Sequence, residues 1–305
     1  MKAPLRLLAV LAAAAPLLAG GCKALESLGD VGATVGESTG TMSPEQAESL
    51  RRSSKAVAKT FEDITPEQEY YIGRAVGATV LSTYSVYDDS DANRYLNELG
   101  QTLAAASDKP ETFGGYHFLL LDTDEINAFA APGGFIFISR GMVGLCRNED
   151  ELAAVLAHEI GHVQNEHGLK AIKSGRLTSA LNILAAESAR SFGGEELAEL
   201  TDAFEGSIGD ITSTMMNSGY ARSAESEADA SAIVILKRVG YDPRALASML
   251  AQMDKEVEPG DLGFGKTHPD PEDRIEDIKS ELAAVPPVSP PPVRRKRFED
   301  SMGGV

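Results

Sequence analysis

"NEDELAAVLAHEIGHVQNEHG", residues 148–168, sets how the rest of the chain is read. Asn148 can cap a helix, and Glu151 three positions on completes a capping-box pattern. Leu152, Leu156, Ile160 and Val163 then recur at helical spacing and predict a buried stripe. Gly168 is a natural stop for that helix. His158 and His162 therefore fall one turn apart on one face, where two imidazoles can reach one metal ion at about 2.0–2.1 Å. Glu159 is offset by about 100°, too far round to be a third ligand beside them. It is well placed to take a proton from a water on such an ion. With only five histidines in 305 residues, H-E-x-x-H arises by chance in about one per cent of such chains. His167, five residues after His162, is expected to point away from the pair and to sit as a favourable cation at the helix C-terminus.

A tetrahedral catalytic zinc takes three protein ligands and keeps one position open. Downstream lies "GYARSAESEADASAIVILKRVG", residues 219–240, in which Ile233, Leu236 and Val239 give helical spacing toward Gly240. Glu225 and Asp229 are four apart and share a face. A glutamate can supply the third bond, and an aspartate one turn later can accept the outer N–H of a ligating histidine. By chemistry alone Glu227 competes with Glu225, and periodicity does not separate the two.

The stretches "YHFLLL" (116–121), "INAFAA" (126–131) and "GFIFIS" (134–139) read as short strands, the last two joined around Pro132-Gly133. Helical patterns dominate after Asn148, so the class is α+β, mostly helical. Its compact part runs from about 62, within a domain placed at 44–284. His117, in a predicted strand, reads as structural. Cys146 reads as a small core residue.

The N-terminus has a basic start at Lys2 and Arg6, an apolar run from Leu7 to Ala19, and small residues leading to Cys22. That run is short for a bilayer span and has the layout of an export signal, residues 1–21. "LAGGC" reads as a lipobox with Cys22 as the lipidation site, although Ala19 stands where leucine is commoner. Lipidation would leave Cys146 without a partner, so no disulfide framework is expected. Residues 22–43 are rich in Gly, Ser and Thr and read as a tether. Residues 285–305, proline-rich and then basic without periodicity, read as a disordered tail. The segment between the two zinc-binding helices reads as helices and a loop over the cleft, a lid. No later stretch reaches about 18 consecutive apolar residues, and no transmembrane helix is expected. The formal charge of -18 argues against nucleic acid as a partner.

Four motifs, "INAFAAPGGFIFISRGMV", "ELAAVLAHEIGH", "YARSAESEAD" and "THPDPEDRI", occur in this order. Together they resemble the zinc metallopeptidases related to the CaaX prenyl protease and bacterial HtpX, and more closely their soluble, periplasmic lipoprotein branch. The resemblance covers about residues 65–283. It implies a gluzincin-like fold with a small mixed sheet, one zinc ion per chain, and Glu225 as the third ligand with Asp229 behind it. It also implies that the strand around Asn127 and Ala128 pairs with extended substrate. His268 matches a histidine near the zinc, either stabilising the oxyanion or occupying the open position on a plug loop until substrate displaces it. Arg274 reads as a structural ion-pair partner. The hydrophobic hairpins of membrane-embedded relatives are absent.

The function this implies is a zinc endopeptidase acting on misfolded or misassembled cell-envelope proteins. It would be exported and lipid-tethered, and Lys23 after Cys22 favours the outer membrane. A zinc-containing chaperone or assembly factor for outer-membrane proteins is the alternative, disfavoured by the intact Glu159. A hydrolase of peptidoglycan is a third reading.

Overall fold

The computed structural model describes Thr34 and residues 65–171, 206, 208–256, 267–268, 271–286 and 288–305. The chain divides into two units, one of residues 65–176 and 194–305, the other of 1–64 and 177–193. Every element below belongs to the first. The expected signal peptide, Cys22, the tether and most of the expected lid lie outside the described residues.

In chain order the elements are α1 (Pro66–Thr83), α2 (Ser90–Ala104), β1 (His117–Leu121), β2 (Ala128–Ala131), β3 (Phe135–Ser139), α3 (Arg140–Leu145), α4 (Glu149–Gln164), α5 (Arg222–Val239), α6 (Arg244–Glu256), α7 (Pro271–Ala283) and α8 (Pro292–Met302). The fold is thus mostly helical with one small mixed sheet, as the sequence predicts. The sheet has the order β1-β3-β2. β1 runs parallel to the central β3 with His117 opposite Phe135, and β2 runs antiparallel to β3 with Ala128 opposite Ile138. The β2–β3 turn passes through Gly133 at φ 76° and Gly134 at φ 93°, a region that favours glycine. A Cβ on Gly133 would also meet the Tyr70 backbone at 2.9 Å.

Helix α4 is the centre of the unit, buried from Glu149 to Val163 on all sides rather than along one stripe. Leu152, Leu156 and Ile160 pack with Leu96 and Leu103 of α2, Ile136 and Ile138 of β3, Leu236 of α5 and Met249 of α6. The Asn148 side chain accepts from the Glu151 backbone N–H at 3.1 Å. Glu151 does not complete a capping box; its carboxylate accepts instead from the Arg147 backbone N–H at 2.8 Å. Burying three successive acids at a helix start suits the helix dipole but demands counter-ions. Each has one: Arg297 forks onto Glu149, Arg294 lies 3.3 Å from Asp150, and Arg147 lies 2.5 Å from Glu151.

Two of those arginines come from α8, which corrects the expectation of a structureless tail. Residues 292–302 are helical because Arg295–Glu299 and Lys296–Asp300 pair at i, i+4 and because Phe298 and Met302, also one turn apart, are buried in the core. Against α4 lies α5, at a very close approach: a Cβ on Gly161 would sit 2.8 Å from the Ala228 carbonyl oxygen. Helix α5 ends at Gly240 in the left-handed region, φ 78°.

Cys146 is buried, with its thiol directed at the Met142 carbonyl oxygen and its pKa pushed up by burial. His117 is exposed, stacks on Phe135 and meets the Gly114 carbonyl at 2.9 Å. Among the described residues no helix is long and apolar enough to cross a membrane.

Candidate active site

The contact of α4 with α5 brings His158, His162 and Glu225 together, and Thr267–His268 adds a fourth group. One ligand-type atom from each of His158, His162, Glu225 and His268 lies within 4.8 Å of the others, and all four residues are buried. The two histidine Nε2 atoms are 3.1 Å apart. Glu225 Oε2 lies 3.4 Å from His158 Nε2, and Oε1 lies 3.5 Å from His162 Nε2. His268 Nδ1 is 2.9 Å from Glu225 Oε2 and 3.4 Å from His158 Nε2. The choice left open between Glu225 and Glu227 is one of direction: Glu225 faces inward, while Glu227 faces outward with a half-exposed side chain.

The outer ring nitrogens are committed elsewhere. His158 Nδ1 is 2.8 Å from Asp229 Oδ1, and His162 Nδ1 is 2.8 Å from His167 Nδ1. With a proton on each Nδ1, both Nε2 atoms would present lone pairs toward one another and toward the Glu225 carboxylate. Glu225 Oε1 has no hydrogen-bond partner among the described residues. Three converging, electron-rich, buried donors repel unless a cation lies between them, and two imidazoles with one carboxylate form a donor set that suits zinc. The residues present therefore fit the ion that the family resemblance implies.

Arg274, fully buried on α7, holds this constellation from behind. Its Nε and Nη2 donate to the two Asp229 carboxylate oxygens at 2.8 and 2.6 Å, and its Nη1 lies 3.3 Å from Glu225 Oε2. Burial pushes the Asp229 carboxyl upward, but the guanidinium outweighs it and holds the pKa below the usual range. Burial likewise opposes ionisation of Glu225, yet His268, His158 and His162 keep it well below that range. Glu159, on the same helix as the histidines, is the exception. Burial pushes its carboxyl up, and neither oxygen has a hydrogen-bond partner among the described residues. His268 Nε2 lies 3.8 Å from Glu159 Oε1.

The structure departs from expectation at His167. Helix α4 stops at Gln164, not at Gly168, and Glu166 adopts φ 55°. This turn folds His167 back onto His162 instead of letting it continue around the helix. Tyr220 was also not singled out from the sequence: its ring stacks on His162 with centroids 4.4 Å apart, and its buried hydroxyl has no partner among the described residues. No spacing rule links it to the zinc-type motif, although it opens the stretch "YARSAESEAD" that carries Glu225.

Asn127 and Ala128 lie at and before the start of β2, a sheet edge, and both are buried. The Asn127 backbone N–H donates to Ser139 Oγ at 3.0 Å, its carbonyl accepts from the Ser139 N–H at 2.9 Å, and its side chain accepts from the Ala128 N–H at 3.0 Å. The π-helical turn Thr214–Ser218 packs next to β2.

Comparison with known proteins places these residues in a family context. The model of peptidase family M48 matches residues 90–282. The β-barrel assembly-enhancing protease of Escherichia coli (strain K12) is 30% identical over 232 residues, 72% of this chain and 44% of that protein. The mitochondrial metalloendopeptidase OMA1 of Schizosaccharomyces pombe is 33% identical over 233 residues, covering 73% of this chain and 64% of its own length. The metalloprotease LoiP of Escherichia coli (strain K12) is 26% identical over 160 residues, 52% of this chain and 60% of that protein. The chain spans under half the length of the assembly-enhancing proteases it matches.

Proposed function

The chain belongs to peptidase family M48, and on that premise we propose that it is a zinc-dependent endopeptidase of misfolded or misassembled cell-envelope proteins. One observation carries the reading: two imidazole nitrogens and a buried carboxylate converge, and beside them Glu159 has no hydrogen-bond partner among the described residues. Zinc, when bound, supplies Lewis acidity that makes a water more acidic and a scissile carbonyl more electrophilic. His158, His162 and Glu225 are the residues that would hold it. Asp229 accepts from the outer nitrogen of His158 and so fixes that ring, and Arg274 fixes Asp229. Glu159 takes the proton of the attacking water and hands it to the departing amine. Among the described residues its buried oxygens have no hydrogen-bond partner to release before doing so.

His268 takes the plug role in this reading. Its Nδ1 stands among the ligand atoms and its Nε2 faces Glu159, where the water and the carbonyl must enter. With every group of the site buried, a substrate gains access by displacing Thr267–His268. An extended peptide would then pair along β2 beyond Asn127, whose own backbone groups are taken by Ser139. The names of the assembly-enhancing relatives support an envelope substrate, and the export signal of residues 1–21 with the lipobox cysteine Cys22 supports a lipid-tethered, periplasm-facing location.

The purified protein is expected to carry about one zinc per chain and to cleave unfolded casein. Glu159→Gln is expected to keep its zinc and lose about 10²–10⁴-fold in rate, the range for removing a general base. Undiminished cleavage by a zinc-loaded Glu159→Gln protein would refute the mechanism. Full rescue of a deletion phenotype by that variant would favour the chaperone instead.

A further inference from the structure

The two ring ligands are supported in different ways. His158 leans on Asp229, a carboxylate clamped by Arg274 in the dry interior. His162 leans on another imidazole: its Nδ1 is 2.8 Å from His167 Nδ1, and the rings meet edge-on at 71°. On its far side, His167 Nε2 lies 3.1 Å from Glu227 Oε2, and Lys170 Nζ stands 3.7 Å from the same oxygen. The His167 ring is buried, whereas the Glu227 side chain is 55% exposed.

Two Nδ1 atoms at 2.8 Å share a single proton, because two donors would repel and two acceptors would leave both lone pairs opposed. If His162 offers its Nε2 lone pair to a metal ion, its own proton sits on Nδ1. His167 must then accept at Nδ1, and its proton is forced onto Nε2, toward the Glu227 carboxylate. Each tautomer follows from the one outside it. His167 cannot itself be a ligand to the same ion, since its near nitrogen faces the outer side of His162 and its far nitrogen faces solvent-side Glu227.

We propose that His167 is a positioning residue that locks the Nδ1–H tautomer and ring plane of His162, with Glu227 as the anchor that sets the tautomer of His167. The inference rests on the reading of His158, His162 and Glu225 as zinc ligands. It adds a relay running from the buried site to the surface, through a neutral imidazole on one side of the metal only. Tyr220 stacks on a face of the His162 ring, with centroids 4.4 Å apart, and so supports the same ring plane.

The test measures zinc affinity by chelator competition on full-length protein. His167→Leu removes the acceptor and is expected to weaken binding about 10- to 100-fold, the range for losing an outer partner of a ligating histidine. His167→Asn puts a carbonyl oxygen where Nδ1 stood and is expected to recover most of that loss. Thermal unfolding of the metal-free proteins is expected to fall equally for both variants, so the rescue distinguishes positioning from packing. Imidazole nitrogen NMR of the zinc-loaded wild-type protein is expected to give His162 protonated at Nδ1 and His167 protonated at Nε2, whether or not the variants fold. Wild-type zinc affinity in His167→Leu, no rescue by His167→Asn, or a His167 protonated at Nδ1 would each overturn the proposal. A wild-type protein that binds no zinc would instead defeat the underlying metal reading.

Discussion

Replacing Arg297 by alanine removes the guanidinium that neutralises Glu149, at the first turn of the helix carrying His158, Glu159 and His162. Glu149 is 1% exposed and accepts from Tyr95 Oη at 2.8 Å and Tyr241 Oη at 2.6 Å in addition to the Arg297 fork. Breaking a buried ion pair from one side costs about 3–5 kcal/mol when nothing else solvates the orphaned charge. Two facts reduce that figure here: the Arg297 side chain is 48% exposed, and both tyrosine hydroxyls remain. A loss of about 2 kcal/mol follows, because each remaining hydrogen bond to a charge is worth about 1.5–3 kcal/mol. For a domain of this size that lowers the melting temperature by about 4–8 °C. Differential scanning calorimetry reads it directly, with Arg295→Ala as the control. Among the described residues Arg295 pairs with Glu299 on the surface, and its loss is expected to stay within about 0.5 kcal/mol. Equal melting temperatures for the two variants would mean that α8 lies on the surface without holding α4, and the account of the buried acids would fail.

Three other outcomes follow from the same contacts. Gly161→Ala sets a methyl group 2.8 Å from the Ala228 carbonyl, with backbone on both sides; parting α4 from α5 is expected to cost about 1–3 kcal/mol in urea unfolding and to weaken zinc binding in step. Gly219→Ala places a Cβ 2.1 Å from the Thr267 carbonyl at φ 72°; it is expected to displace His268 and so raise casein cleavage if that residue is a plug, with a fall in cleavage counting against it. Burial pushes the Glu149 and Glu151 carboxyls up, but Arg297 with Tyr241 and Tyr95, and Arg147 with Gln252 and Ser248, outweigh it and hold both below 4.5. Their contribution to stability is therefore whole above pH 4.5 and is lost as pH falls through the lower folded values, so the urea midpoint is expected to drop in that window and to drop less in Glu149→Gln.

What could be read in advance was whatever a local rule governs. Asn148 as a cap, the histidine pair on one helix face, the three strands to within two residues and the Gly240 stop all follow from spacing and side-chain chemistry over a few positions. The parallel pairing of β1 with β3 does not, because it joins two strands that β2 separates along the chain. His167 was misplaced for a definite reason: extrapolating α4 to Gly168 assumes right-handed backbone throughout, and Glu166 breaks it at φ 55° with a residue that carries no such signal. Helix α8 escaped because its apolar face comprises only Phe298 and Met302, too few for periodicity, while its arginines read as solvated charge until their buried partners on α4 are known. Glu225 was separable from Glu227 only by family likeness, since the two differ in which neighbour they meet and not in their own chemistry.

Arg274 lies 116 positions after His158 along the chain, and its grip on Asp229 gives the order of manufacture a meaning. A polypeptide made from its amino end has both histidines and Glu225 long before that guanidinium exists. Until then the buried Asp229 carboxylate has the His158 ring beside it but lacks its guanidinium counter-ion. The finished arrangement needs residue 274 in place, and α8, which steadies α4 from its other end, lies later still in the chain.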